Sequence, residues 1–356
     1  MIVPFVHAVV LVLIVLLCVA YMTLLERKVL AFMQVRIGPN RVGPRGFLQP
    51  IADVIKLLLK EDFSPRRANW AVFTIAPVIA TMAAVASLAV IPYAGPEATL
   101  ELLGYSIRPY IADVNVGIIY ILSISSIGVF GIVLGGWASN SKYSLLGALR
   151  SAAQMVSYEV PLGLAIIGAM MVAGTASTVG MVQWQQQNVW MFVAQPFALA
   201  LFYIAGVAET NRAPFDLPEA ENELVAGFHT EYSGMRFAFF YLAEYLGMIV
   251  IGTLLVTVFL GGWLPITFGL GYVFPQVPGW LAGAWGGPVG LLLLGIFWFV
   301  FKVFLVIYVY LWIRATFPRY RYDQLMDLGW KWMIPAGLVW VLLTGAVLLA
   351  WDAVPR

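Results

Sequence analysis

The chain begins with an uncharged apolar run that decides the fold class. Residues 2–25 read IVPFVHAVVLVLIVLLCVAYMTLL. Because a helix rises about 1.5 Å per residue, about 20 apolar residues are enough to cross a hydrocarbon core of ~30 Å. No basic segment precedes this run, and the run is longer than the apolar core of a secretory signal peptide. We therefore expect residues 2–25 to form an uncleaved membrane span.

Composition extends this interpretation along the chain. Hydrophobic residues make up 62% of the 356 residues and charged residues only 11%, whereas soluble proteins average about 25% charged residues. The mean hydropathy is +0.90. The predicted spans are residues 2–25, 70–92, 115–137, 152–174, 190–208, 237–262, 288–313 and 332–352. The sequence thus predicts an all-α integral membrane protein, with about eight transmembrane helices plus a short amphipathic surface helix, in a single polytopic domain (residues 1–356).

The basic residues lie almost entirely in alternate loops. These loops hold seventeen lysines and arginines, whereas the opposite side holds only Arg108 and Arg356. The positive-inside rule places the basic loops in the cytoplasm. The predicted cytoplasmic loops are about residues 26–69, 138–151, 209–236 and 314–331. We therefore predict a multi-pass protein of a bacterial cytoplasmic membrane, with both termini on the periplasmic side.

The few metal-binding side chains exclude some kinds of chemistry. One cysteine, Cys18, and two histidines, His7 and His229, cannot ligate an iron–sulfur cluster and make a poor zinc site. The sequence therefore predicts no metal site, and electrons for any redox reaction must come from a partner. A net charge of +2 is too small to indicate nucleic-acid binding.

The first cytoplasmic loop contains an amphipathic segment, residues 47–60, that is too short to span a membrane. Its apolar face consists of Leu48, Ile51, Ile55, Leu58 and Leu59. Its polar face consists of Gln49, Asp53, Lys56 and Lys60. Such a helix lies in the membrane interface. It either anchors the chain to headgroups or forms the rim of an entrance for a lipophilic ligand.

The third cytoplasmic loop is acidic, although the other loops are basic. Its carboxylates are Glu209, Asp216, Glu219, Glu221, Glu223 and Glu231. Asp216 and Glu219 have the spacing of a helix capping box, which is a structural reason for that pair. The loop as a whole is either a solvated acidic loop or a partly buried cluster. In a buried cluster, desolvation and like-charge repulsion would raise carboxyl pKa values toward physiological pH and allow proton relay.

Three ionisable residues fall inside predicted spans. Glu159 and Glu244 each lie about seven residues, or ~10 Å, into a span, and Lys302 lies near the middle of the seventh span. An ionisable group at the centre of a bilayer costs about 2.5–3.5 kcal/mol unless it faces protein or water. We interpret these residues as functional, with mutual ion pairing for packing alone as the alternative.

Eight short motifs extend over nearly the whole chain. They are ERKVLA (26–31), RIGPNR (36–41), QPIAD (49–53), YE (158–159), AETNRAPFDL (208–217), AEY (243–245), WIRA (312–315) and RYDQ (321–324). In these motifs the chain resembles a known family, the H subunit of proton-translocating NADH:quinone oxidoreductase (respiratory complex I). The mitochondrial counterpart is NADH dehydrogenase subunit 1.

The resemblance implies a protein that joins a hydrophilic redox arm to a membrane arm and forms much of a quinone tunnel. The tunnel or its entrance would contain Glu26, Arg27, Arg36, Asp53 and Arg314. An acidic path leading away from it would contain Glu159, Glu209, Glu219, Glu221, Glu223, Glu231 and Glu244. Quinone would be the substrate, and FMN and iron–sulfur clusters would belong to partner subunits, so this chain would have no complete active site alone.

Two other functions stay open from the sequence. One is a membrane anchor of a related hydrogenase or formate-oxidising complex, because such complexes carry relatives of this protein. The other is a stand-alone proton-coupled transporter, although the sequence shows no inverted repeat of the kind found in transporters. The partners expected from the resemblance are redox-arm subunits, membrane-arm subunits and the lipid bilayer, with no nucleic acid.

Overall fold

A computed structural model describes residues 2–102, 105–216, 226–266 and 288–350, and these are almost entirely helical. The helices are α1 (Ile2–Met33), α2 (Gln49–Leu59), α3 (Trp70–Ser87), α4 (Gly117–Ala138), α5 (Lys142–Ala173), α6 (Thr178–Gln187), α7 (Met191–Ala194), α8 (Pro196–Glu209), α9 (Gly234–Phe259), α10 (Pro288–Thr316), α11 (Tyr322–Asp327) and α12 (Ile334–Ala350). A π-helical turn, Leu328–Met333, joins α11 to α12. A small antiparallel hairpin pairs β1 (Leu100–Leu102) with β2 (Tyr105–Ile107).

Within the described ranges, seven helices are long and apolar enough to cross a membrane. They overlap seven of the predicted spans, although α1 ends eight residues later and α5 begins ten residues earlier than predicted. The prediction of an all-α membrane protein is confirmed. The predicted fifth span, residues 190–208, is divided between α7 and the 14-residue α8. The break falls at Gln195, directly before Pro196. Proline suits the first turn of a helix and disfavours helical backbone at the residue before it.

The predicted surface helix is present as α2, and its apolar side is open. Ile51, Ile55 and Leu58 are each about half exposed. Proline at the second helical position, Pro50, fits the start of this helix. The amphipathic pattern of the first loop therefore predicted both the helix and its uncovered apolar face.

The spanning helices pack closely through small residues. A Cβ atom on Gly131 of α4 would lie 2.8 Å from the Cβ atom of Ala80 on α3, and one on Gly136 would overlap that of Ala148 on α5. Small residues at such contacts let helix backbones pack closely. Close packing is needed within a bilayer because the hydrophobic effect does not drive helices together there. The C-terminal half of α9 is buried on all sides, whereas α1 and α12 expose apolar side chains such as Leu13 and Leu342. Helix α9 therefore lies at the centre of the bundle.

Candidate functional site

The site is built around the turn that follows α8. Asn211 has a left-handed backbone conformation (φ 51°), which asparagine adopts more readily than most residues. Its side-chain amide donates to the Ser151 hydroxyl of α5 at 2.9 Å. The Gln154 amide, also on α5, donates to the carbonyl oxygens of Ala208 and Phe215 at 2.7 and 2.8 Å. The turn is thus tied to α5, and the next side chain, Arg212, is directed into the bundle.

Arg212 is the centre of the site, with a residue exposure of 5%. Its Nε lies 2.9 Å from Glu244 Oε1 of α9, and its Nη1 lies 3.5 Å from Glu26 Oε1 of α1. The guanidinium group also lies over the Tyr245 ring, 4.3 Å from the ring centroid. A planar guanidinium suits contact with two carboxylates and an aromatic face at once. One cation therefore connects acidic side chains from two different helices.

Glu26 has two further partners besides Arg212. Arg314 of α10 forms an ion pair with the Glu26 carboxylate, and the Tyr245 hydroxyl donates to it. The cluster thus contains two cations and two carboxylates. Buried ions are tolerated when they are paired in this way, whereas removing one partner is strongly destabilising. We call Glu26, Arg212, Glu244, Tyr245 and Arg314 the Arg212 cluster.

A cavity of about 100 Å³ adjoins this cluster, between α3, α4 and α9. Its polar lining consists of Ser87, Ser125, Glu209, Thr210, Asn211 and Glu244, and most of the remaining lining is small and apolar. A cavity of this size with several polar partners has room for a few water molecules. We call it the polar cavity. Glu244 belongs to both the cluster and the cavity, so the two are continuous.

Two more carboxylates continue from the polar cavity toward α5. Ser125 of α4 lies beside Glu209, and Ser126 lies beside Glu159, while both serine hydroxyls donate to the Leu122 carbonyl oxygen. Glu159 lies near enough to Glu209 for the two carboxylates to repel each other. Each keeps one buried oxygen, Glu159 Oε1 and Glu209 Oε2, without a hydrogen-bond partner in the described part of the chain. Buried acceptors of this kind normally bind protein donors or ordered water, so this region is suited to hydration.

The structure divides the residues that we assigned to a quinone tunnel. Glu26 and Arg314 lie in the Arg212 cluster, whereas Arg27 and Asp53 form a half-exposed pair, with 2.7 Å between Nη1 and Oδ2, that joins α1 to α2. Arg36 lies on the exposed loop after α1. The predicted tunnel residues are therefore divided between the Arg212 cluster, the surface pair that joins α1 to α2, and Arg36, which donates to Gln34 on the loop after α1.

The acidic-path residues are also divided. Glu159, Glu209 and Glu244 come together as described above, and Glu231 is half-buried in the loop before α9. The predicted residues Glu219, Glu221 and Glu223 lie outside the described residues. Asp216 accepts a hydrogen bond from Arg319 at 3.0 Å, a contact that its spacing from Glu219 did not indicate.

Lys302 is separate from these groups. Its ammonium group donates to the carbonyl oxygens of Leu260 and Gly262 at 2.6 and 2.9 Å. In the described part of the chain it forms no ion pair with a carboxylate. Mutual pairing with Glu159 and Glu244 is thus not the arrangement found. The described residues also contain no group of three His, Cys, Asp or Glu side chains that could hold a metal ion.

The site residues predicted from sequence did not include Arg212, Tyr245, Ser125 and Ser126. Arg212 had a usable signal, because it is the only lysine or arginine between Glu209 and Glu231. Tyr245 is next to Glu244 in the AEY motif. The two serines are ordinary members of an apolar span, and only the packing of α4 against α5, and of α5 against α8, places them beside carboxylates.

Comparisons with known proteins identify close relatives. The family model described as NADH dehydrogenase matches residues 6–345. The H subunit of NADH-quinone oxidoreductase from Rhodospirillum rubrum is 48% identical over 338 residues, covering 95% of this chain and 91% of the relative. The protein of the same name from Syntrophotalea carbinolica is 49% identical over 330 residues, covering 93% and 91%. That from Thermomicrobium roseum is 48% identical over 339 residues, with the same coverage.

Proposed function

We propose that this chain, which belongs to the NADH dehydrogenase family as an H subunit of NADH-quinone oxidoreductase, links quinone reduction to proton movement. The family assignment favours this function over a hydrogenase anchor or a stand-alone transporter. The chain is a multi-pass membrane protein and a subunit of an oxidoreductase complex. In our proposal, FMN and the iron–sulfur clusters are held by partner subunits of the redox arm, and the membrane is the bacterial cytoplasmic membrane.

Quinone entry is proposed at α2. The open apolar side of this helix lies in the membrane interface, and the Arg27–Asp53 pair joins it to α1. Glu26 is adjacent to Arg27 in α1 but faces the bundle interior, where it meets Arg314. A lipophilic quinone that passes α2 would therefore approach the Arg212 cluster near Glu26. Reduction would take place where another protein of the complex supplies the electrons.

The observation that carries the proposal is the position of Arg212 between Glu26 and Glu244. Glu26 belongs to the proposed tunnel, and Glu244 lines the polar cavity. A change of charge on the tunnel side alters how strongly the Arg212 guanidinium stabilises each of its two carboxylates, Glu26 and Glu244. The carboxylate that Arg212 then stabilises less binds a proton more readily. Charge on one side is thereby converted into protonation on the other.

From Glu244 the proposed path continues through the polar cavity to Glu209 and then to Glu159. Ser125 and Ser126 lie along this route and can donate and accept hydrogen bonds. Water in the cavity would complete the connection between side chains that do not touch. The path would end at α5, from which membrane-arm subunits would take over.

Replacing Arg212 with lysine tests this proposal. Lysine keeps the charge but is a compact point cation, so it cannot contact Glu26, Glu244 and the Tyr245 ring together. We expect Arg212→Lys to lower quinone-linked NADH oxidation and proton uptake by about tenfold or more, equivalent to a loss of roughly 1.4 kcal/mol in the transition state. NADH oxidation with an artificial acceptor, which reports assembly, should change little.

Arg321→Lys is the matched control, because Arg321 is largely exposed and pairs with the exposed Asp323. Exposed pairs contribute about 0–1 kcal/mol, so this variant should behave like the parent. Full quinone-linked proton uptake in Arg212→Lys would refute the proposal.

A further inference from the structure

Helix α9 ends in a turn in which two carbonyl oxygens face the same ammonium group. Gly261 and Gly262 have positive φ angles of 68° and 49°, which glycine adopts without strain. The Gly262 N–H donates back to the Val256 carbonyl at 2.9 Å, as in a glycine-based helix ending. In this turn the carbonyl oxygens of Leu260 and Gly262 both accept hydrogen bonds from the Lys302 ammonium group.

The surroundings of Lys302 are those of a cation at a helix C-terminus. The residue is 2% exposed, and its Nζ lies 4.7 Å from the centroid of a Trp190 ring. The C-terminal carbonyls of a helix carry a partial negative charge that favours a cation, and an aromatic face adds to this attraction. A buried lysine is costly unless such partners compensate it. The α9 terminus supplies them.

Gln185 of α6 holds the same helix end from another side. Its amide nitrogen donates to the carbonyl oxygens of Thr257 and Val258 at 3.1 and 3.0 Å. Its amide oxygen accepts from the Gly261 N–H at 3.0 Å. The last carbonyls of a helix have no partner within the helix, and here Gln185 and Lys302 bind them. The end of α9 is therefore attached to both α6 and α10.

We infer that Lys302 is a positioning residue that fixes α9 along its axis. Glu244 and Tyr245 lie on α9 about 24 Å from this end, at 1.5 Å per residue. Every residue from Tyr245 to Phe259 except Gly247 is buried in the packed bundle, so the helix is held as a rigid element. Glu244 meets Arg212 at 2.9 Å, and an axial shift of one residue would break that contact. The inference rests on the proposed function, because that function is the reason why the Glu244–Arg212 contact matters.

The position of α9 can be measured without an activity assay. A Cβ atom on Gly252 of α9 would lie 3.8 Å from a Val303 side-chain atom and 3.9 Å from a Val306 one on α10. In the assembled complex, with Cys18 replaced by serine, Gly252→Cys is combined with either Val303→Cys or Val306→Cys. Oxidative cross-linking of the two pairs reports the axial register of α9 against α10.

Lys302→Met keeps much of the side-chain volume and removes the ammonium group. We expect it to change the ratio of the two cross-linking yields several-fold, whereas Phe301→Met, at a partly exposed neighbour, should leave the ratio unchanged. Lys302→Gln retains one donor for a carbonyl oxygen. If Lys302→Met does not assemble, Lys302→Gln is the second variant, and we expect it to change the cross-linking ratio in the same direction but by less. An unchanged ratio in the assembled variants would overturn the inference.

Activity gives the second measurement. A misplacement of about 1 Å at a site can cost up to a hundredfold in rate, so Lys302→Met should lower kcat for quinone reduction tenfold or more with little change in KM. Lys302→Ala leaves space for a small cation, and ethylammonium should restore its activity but not that of Lys302→Met. A changed cross-linking ratio with full quinone-linked activity would refute the positioning role. Full activity of Arg212→Lys would instead refute the charge path and leave the register result standing.

Discussion

Glu244 and Glu159 differ in whether a substitution would change ion pairing, protonation or both. Glu244 is an ion-pair partner of Arg212 and also lines the polar cavity. Glu159 lies beside Ser126 and keeps one buried oxygen without a hydrogen-bond partner in the described part of the chain. A change at Glu244 therefore affects both pairing and protonation, whereas a change at Glu159 isolates protonation.

Glutamine substitutions at these two positions test the proton path. Glutamine keeps the size and some hydrogen bonding but cannot titrate. We expect both variants to assemble, because Arg212 keeps Glu26 as a partner when Glu244 is replaced. We expect Glu159→Gln and Glu244→Gln to lose quinone-linked NADH oxidation and proton uptake together. Loss of a proton-transfer group costs about 10²–10⁴-fold in many enzymes, and a fall of tenfold or more should be evident here. Both activities are measured in membranes, with an artificial acceptor reporting assembly.

Asp327→Asn serves as the control for this pair, because Asp327 forms only an exposed pair with Lys331. Glu244→Gln should impair assembly more than Glu159→Gln, because Glu244, unlike Glu159, forms an ion pair with Arg212. Normal proton uptake in both variants would leave these carboxylates as packing residues.

Helix α2 shows how one element can serve either of two purposes. Its exposed apolar side chains suit both contact with lipid headgroups and the rim of a quinone entrance. The Arg27–Asp53 pair holds α2 beside α1, close in the chain to Glu26. We propose the entrance rim, because anchoring alone does not require α2 to lie beside the helix that carries a cluster residue.

Ile55→Ser distinguishes these purposes. Removing apolar contact costs about 0.8 kcal/mol per buried CH₂, so at a rim the KM for a long-chain quinone should rise several-fold while kcat stays the same. The KM for a short-chain, water-soluble quinone should change less. Lys56→Ser, on the polar side of α2, is the control. Equal KM values for the long-chain quinone in both variants would favour anchoring alone.

The whole molecule has a charge asymmetry that predicts its orientation. Seventeen lysines and arginines fall on one predicted side against two on the other, and the positive-inside rule predicts that the basic loops lie in the cytoplasm. In a Cys18→Ser background, Ser64→Cys and Lys142→Cys should react with an impermeant thiol reagent only after cells are opened. Glu97→Cys, in the loop after α3, should react in intact cells whose outer surface is accessible.

These positions are exposed, so accessibility depends on the side of the membrane and not on burial. Asn140 is a poorer choice in the second cytoplasmic loop, because its φ of 51° is unfavourable for cysteine. Labelling of Ser64→Cys or Lys142→Cys in sealed cells would refute the predicted orientation.

The sequence alone was sufficient for the features that depend on neighbours along the chain. Membrane spans follow from the summed transfer free energy of about 20 consecutive residues, and the amphipathic α2 follows from its helical period. Even so, the division of the fifth span at Gln195 depends on the backbone preference before one proline, which a hydropathy sum over a whole span does not register.

Tertiary structure decided which side chains meet. Tyr245 and Glu26 are 219 residues apart in the chain, and no local pattern indicates that α1 and α9 would place them beside Arg212. The partners of Lys302 were equally hidden, because backbone carbonyls become ligands only where a helix ends against another helix. Ion pairing and capping depend on distances of a few ångströms between elements, and those distances are set by how the helices pack.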